Sequence, residues 1–300
     1  MSKSRLSRIW LFSAIVAMLL FESACGGGGS SIDVGSGGTG ISGAVTKGPL
    51  SNATVKAYAI AGGQPGAQIG SAITDANGNY TMTLGAYAGP VMLQVSGGSY
   101  KDEATGSVLP MAPGDVMAAV VASVASGTTV TGMQITPVTS MAQARAQQMT
   151  GGMTESNIAA ANTAMGNYFS VSDILHVQPM NPLVPESGSN ASADARNYGM
   201  TIAAMSQYAK SLGMANTSAL VTSMMSDSSD GMMDGKKGSS PISMTMGGMM
   251  GTAMMAPTAG TSGLAAAMTN FVMSPANLSG LTTTDIAPLV QKMSSSNGQI

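Results

Sequence analysis

The first chemistry this sequence offers is metal ligation. Met244, Met246, Met249, Met250, Met254 and Met255 crowd one short stretch, with Met232 and Met233 upstream. Thioethers are soft ligands suited to Cu(I). The 28 methionines, however, run through the whole chain, including positions expected in a core such as Met92 and Met205. There a flexible thioether fills gaps that four phenylalanines cannot. Core or adaptable surface is therefore the first expectation, with Cu(I) binding the alternative. Asp227, Asp230 and Asp234, beside Gly231 and Gly235, offer the hard oxygens that calcium takes. The calcium-loop order fails in both registers. With Gly231 at the sixth position, the first and third are Ser226 and Ser228; with Gly235 there, the third is Met232. The expectation is a helix end running into a tight turn, its aspartates capping backbone amides, and Ca²⁺ is the lesser reading.

Catalytic constellations are missing. The one histidine, His176, stands in Asp173-Ile174-Leu175-His176 before a proline-rich stretch, where a surface or packing role is expected. No G-x-S-x-G turn presents a nucleophile, and no histidine pair can hold zinc. Asp102 and Glu103 are adjacent, so a strand would point them to opposite faces rather than across a cleft as paired carboxylates. The chain reads as a non-enzyme with no dissociable cofactor.

The single cysteine, Cys25, gives an address. Lys3, Arg5 and Arg8 make a basic start, and residues 9–21 an apolar run broken by Ser13. That run falls short of the roughly 20 residues that span a bilayer and matches a secretory h-region. Ser23 and Ala24 precede Cys25, and Gly26-Gly27-Gly28-Gly29-Ser30-Ser31 follows. The segment resembles the lipobox of bacterial lipoproteins, with Glu22 where that family prefers leucine. The resemblance implies cleavage after residue 24, diacylglycerol and acyl chains on Cys25, and an anchor in the cell envelope. Gly26 rather than aspartate after the cysteine favours the outer membrane. Residues 25–40 then form a flexible Gly/Ser tether, and the formal G-x-G-x-x-G match at 35–40 lacks the strand and helix that such a site needs. Twelve basic and fourteen acidic residues give a net charge of −2, or about −4 without residues 1–24. Such a balance excludes nucleic acid as a partner.

Residues 41–136 read as an antiparallel β-sandwich. Residues 41–45 and 53–60 alternate; Gly62-Gly63-Gln64-Pro65-Gly66 breaks the run. Residues 69–74 lead into Asp75-Ala76-Asn77-Gly78, a hairpin signal, followed by a strand at 79–84. Val91-Met92-Leu93-Gln94-Val95 reads as a central strand. Gly43-x-Val45, Pro49-Leu50-Ser51-Asn52-Ala53-Thr54-Val55 and Thr74-Asp75-Ala76-Asn77-Gly78-Asn79-Tyr80 together resemble the carboxypeptidase regulatory-like domain. That family is a transthyretin-like sandwich of about seven strands with a structural or binding role. In the turn, Asp75 caps, Gly78 takes the left-handed position, and Tyr80 re-enters the core.

From residue 137 the pattern becomes helical. Residues 141–148 favour helix, and Thr154 caps a second helix through Ile158, Ala161, Met165 and Phe169. Pro179, Pro182 and Pro185 enforce a loop. Ala195, Tyr198, Ile202, Met205, Ala209 and Leu212 then step by three and four between Ser192 and Gly213. Shorter helices are expected at 218–225, 263–271 and 285–292, with a Met/Gly-rich loop at 227–257. The whole is similar to surface lipoproteins that begin Cys-Gly-Gly-Gly-Gly and join such a sandwich to a helical domain. The expected class is thus α+β and multidomain: sandwich at 41–136, helical domain at 137–300. The expected function is a lipid-anchored structural or binding module facing a surface macromolecule or matrix component. A periplasmic Cu(I)-binding lipoprotein is the alternative.

Overall fold

The computed structural model describes residues 38–247 and 251–300. Cys25, the apolar run before it, most of the tether, Met249 and Met250 lie outside the described residues. Among the described residues the fold is α+β, with nine strands over residues 40–135 followed by six helices and four short strands over residues 137–295.

The strands are β1 (Gly40–Val45), β2 (Thr54–Ala61), β3 (Gln64–Ile73), β4 (Asn79–Thr83), β5 (Gly89–Ser96), β6 (Ser99–Lys101), β7 (Val108–Pro110), β8 (Val116–Val124) and β9 (Thr129–Ile135). They form a four-stranded sheet in the order β3-β2-β5-β8, a three-stranded sheet β4-β1-β9, and the hairpin β6-β7. Ile41, Val45, Tyr80, Met82, Met133 and Ile135 from the smaller sheet share one apolar cluster with Val55, Ala57, Val91, Leu93 and Val95 from the larger. Met92 and Val120 point to the opposite face, against Ile158 and Ala161. The larger sheet is covered on both sides there. That is why Val91-Met92-Leu93 is an unbroken apolar run rather than an alternating one.

Three sequence expectations need correction. First, not every pair is antiparallel: β1 runs parallel to β9 and antiparallel to β4. Gly43 makes the parallel pair possible, because a Cβ on it would lie 1.8 Å from the Met133 carbonyl oxygen. Second, residues 62–66 do not break the chain. Gly62 and Gly63, both at positive φ, form a two-residue turn, and β3 starts directly at Gln64. Pro65 is tolerated within β3 because that strand is at the sheet edge. Third, the Asp75–Gly78 turn does not make a hairpin within one sheet. It carries the chain from β3 in one sheet to β4 in the other. Turn chemistry reverses the chain, but burial of Tyr80 and Met82 between the sheets selects the strand partner.

The helices are α1 (Pro137–Gln148), α2 (Glu155–Phe169), α3 (Ala193–Ser211), α4 (Thr217–Ser228), α5 (Ser262–Val272) and α6 (Thr283–Ser295). Thr136 opens α1 with a capping box, followed by Pro137. Thr154 caps α2 by accepting the Asn157 N–H, and Ser192 caps α3 by accepting that of Ala195. α1 is tied to β8, where the Thr139 hydroxyl donates to the Ala118 carbonyl and the Ala118 N–H donates to Ser140 Oγ. Residues 227–257 are not a plain loop. They hold two small hairpins, β10 (Lys236–Lys237) with β11 (Ser240–Pro241), and β12 (Ser243–Thr245) with β13 (Thr252–Met254). Met244 and Met255 supply the apolar side of this region to the helical core, alongside Met205, Leu220 and Phe271.

Candidate functional site

Lys47 is the most unusual side chain among the described residues. It leaves β1 in the turn Thr46-Lys47-Gly48-Pro49, where Gly48 adopts φ +59 and a Cβ on it would lie 2.3 Å from Lys101 O. The turn drives the Lys47 side chain inward, to 2% exposure. A buried ammonium is costly unless it is paired and hydrogen-bonded. Lys47 Nζ donates to Glu103 Oε2 at 2.6 Å and to Ser206 Oγ at 2.5 Å. Ser206 Oγ in turn donates to the same Glu103 oxygen at 2.5 Å. Asp102 Oδ2 is 3.9 Å from Nζ, and the Tyr100 ring centroid 5.1 Å.

Asp102 and Glu103 do not point to opposite faces of a strand, as their adjacency suggested. β6 ends at Lys101, and both residues sit in the connection to β7, where strand alternation no longer holds. The turn closes on Asp102: its carbonyl accepts the Gly106 N–H, and its Oδ1 accepts the amides of Ala104 and Thr105 and the Thr105 hydroxyl. Its Oδ2 accepts the Thr217 hydroxyl at 2.7 Å. Burial pushes the Asp102 carboxyl up, but Lys47 and these hydrogen bonds outweigh it and hold the group below the usual carboxylate range. Burial and the two neighbouring carboxylates raise the Tyr100 phenol, whose hydroxyl donates to Asn216 Oδ1. Lys210 Nζ donates to the Ala104 carbonyl at 2.8 Å. Lys47 follows β1, the acids follow β6, Ser206 lies on α3 and Thr217 opens α4, so four separate segments converge here.

The sequence carried two faint signals for this cluster. Lys47 stands in a Gly/Pro turn after an apolar strand, and Asp102-Glu103 is the one adjacent acidic pair in the chain. Neither gave a reason to bring them together.

Glu103 also lines a pocket of about 360 Å³. Thr46, Asn77, Asn79, Gln178 and Asn181 surround it with hydroxyl and amide groups. The proline-rich stretch is held there by close approach to α3: a Cβ on Gly199 would lie 2.0 Å from Met180 O. Asn77 and Asn79 are presented by the Asp75 turn. Asp75 Oδ1 accepts the amides of Asn77 and Asn79, each at 2.8 Å, and Gly78 sits at φ +81. Loss of solvent pushes the Asp75 carboxyl up, but these bonds and that from the Asn79 side chain together outweigh it and hold the group below its ordinary range.

The aspartates at the end of α4 and just beyond it are spent on backbone amides. Asp227 Oδ1 accepts those of Asp234, Gly235 and Lys236 at 3.0, 2.7 and 3.2 Å. Its Oδ2 is buried without a partner, and burial pushes the group up to about 6. Asp230 accepts the amides of Met232 and Gly238, and Asp234 that of Lys236. Among the described residues, no three His, Cys, Asp or Glu side chains converge as a metal group. Met244, Met246 and Met255 are buried, while Met254 is 69% exposed. His176 Nδ1 is 2.8 Å from Asp173 Oδ2 in a half-exposed pair.

No protein-family model matches the chain, and no curated protein does. Among solved structures, it is similar to a 9R-lipoxygenase from Cyanothece PCC8801 at 16% identity and a TM-score of 0.19, over 31% of this chain and 16% of that one. A likeness that slight carries nothing about fold or activity.

Proposed function

We propose that this chain is a non-catalytic, lipid-anchored protein of the bacterial outer membrane: a transthyretin-like sandwich joined to a helical domain, facing outward and binding an envelope or matrix polymer. The carrying observation is the pocket above Glu103, lined by Asn77, Asn79, Gln178 and Asn181. Side-chain amides both donate and accept, and Glu103 has its charge compensated by Lys47. Such a lining suits a neutral ligand rich in hydroxyl groups, as a glycan chain is. The lipobox-like run ending at Cys25 and the Gly/Ser tether after it support the anchored location. Burial of Met244 and Met255 in the helical core favours a packing role over Cu(I) ligation. The test is co-sedimentation of the full chain, in detergent, with insoluble envelope polysaccharide. Wild type pellets with the polymer; Asn181→Leu with Gln178→Leu, which fills the pocket with apolar groups, stays in the supernatant. Equal pelleting of both removes the pocket from the account.

A further inference from the structure

We propose that Lys47 and Glu103 condense to an internal amide, a covalent tie between the turn after β1 and the turn after β6. Three reactive atoms meet at contact: Lys47 Nζ, Glu103 Oε2 and Ser206 Oγ lie 2.5 to 2.6 Å from one another. All three residues are at most 2% exposed. The amine is already held at hydrogen-bond contact with the carboxyl it attacks, and fixed proximity of this kind replaces the entropy cost of bringing two reactants together.

The step balances without any co-reactant. A proton passes from the Lys47 ammonium to Glu103 Oε2 across their hydrogen bond, leaving an amine and a carboxylic acid. The nitrogen lone pair attacks Glu103 Cδ and the C–N bond forms. A second nitrogen proton moves to the departing oxygen, the C–O bond breaks, and one water leaves. Nothing is oxidised or reduced. Asp102, held as a carboxylate 3.9 Å from Nζ, faces the positive charge that develops on the attacking nitrogen. Ser206 donates its hydroxyl to the oxygen that departs, which makes it a positioning residue. Glu103 lines the pocket, so the water has an exit beside the bond that forms. The product removes two buried charges whose desolvation the ion pair must offset. Asp102 keeps its hydrogen bonds from Ala104, Thr105 and Thr217 after Lys47 is neutralised.

A tie of this kind has a place here. The sequence holds one cysteine, so no disulfide can form within it. The amide would close a loop between positions 56 residues apart.

Peptide mapping of the full chain, extracted in detergent and digested with trypsin, tests this. Chain cleavage follows lysine and arginine, and acylated Lys47 is not cut. The expected product is a branched species in which the peptide running through Lys47 to Lys56 carries residues 102–145, lighter by one water than the sum of its two arms. Lys47→Arg and Glu103→Ala each abolish the branched species. Ser206→Ala retains both reactants and lowers the branched fraction. Quantitative cleavage after Lys47 in wild type, or a branch mapped by fragmentation to Asp102, overturns the assignment.

Discussion

At the scale of single residues, burial decides what a charge does. Lys47 is the residue on which two carboxylates, a serine and a tyrosine ring depend. Without Lys47, Glu103 and Asp102 are two buried carboxylates with neither a cation nor an amide to neutralise them, and removals of this kind cost about 3–5 kcal/mol. Lys47→Met therefore lowers the unfolding free energy of the full chain, read from urea titration, by that amount, whereas Lys56→Met, on a partly exposed lysine of β2, leaves it within about 0.5 kcal/mol. Asp227 works in the opposite sense. Burial raises its carboxyl to about 6 in the folded chain, so the fold binds a proton that the unfolded chain releases near 3.8. The stability from that proton is present at low pH and falls as pH rises from about 4 to about 6. Asp227→Asn, which keeps an oxygen for the amides of Asp234, Gly235 and Lys236, flattens that slope. Denaturation midpoints measured from pH 4 to 7 would reveal it. The roles of Asp75 and Gly78 were legible in sequence because turn chemistry is local. The Lys47 cluster was not, because its members come from positions 47, 102, 103, 206 and 217 and meet only when sheets and helices close on one another.

At the scale of elements, pattern located the helices and the strands as far as β5, but not β6, β7, β8 or β9, and it located partners poorly. The stepping of Tyr198, Ile202 and Met205 marked α3, and the caps at Ser192 and Thr154 are local hydrogen bonds that short sequence windows contain. Thr136→Ala removes the reciprocal cap of α1, together with the hydroxyl pair to Tyr198 at 2.7 Å. Capping losses cost about 1–2 kcal/mol, read as a lower melting temperature. Strand pairing depends on which faces are buried across the whole sheet, so neither the parallel β1–β9 pair nor the sheet change after Asp75 could be read from turn residues. Gly43 is the exception in hindsight. A methyl group there meets the Met133 backbone, so Gly43→Ala must separate β1 from β9. Overpacking of well-packed sites costs about 1–3 kcal/mol and sometimes more; the expected outcome is the upper part of that range, with early hydrogen exchange at β9 amides.

At the scale of the molecule, the strand-rich and helix-rich halves both line the polar pocket above Glu103, where the proposed tethered envelope protein would bind its polymer. Its address rests on the run that ends at Cys25. Cys25→Ser is expected to move the chain from the detergent-extracted membrane fraction to the soluble fraction, as read by fractionation and blotting. Among the described residues, no helix is long and apolar enough to cross a membrane. The most direct measurement of the central claim is protease shaving of intact cells, followed by mass spectrometry of peptides from residues 191–300. The account predicts their release while a periplasmic control protein stays whole. Release only after the outer membrane is breached would contradict an outward-facing binding module.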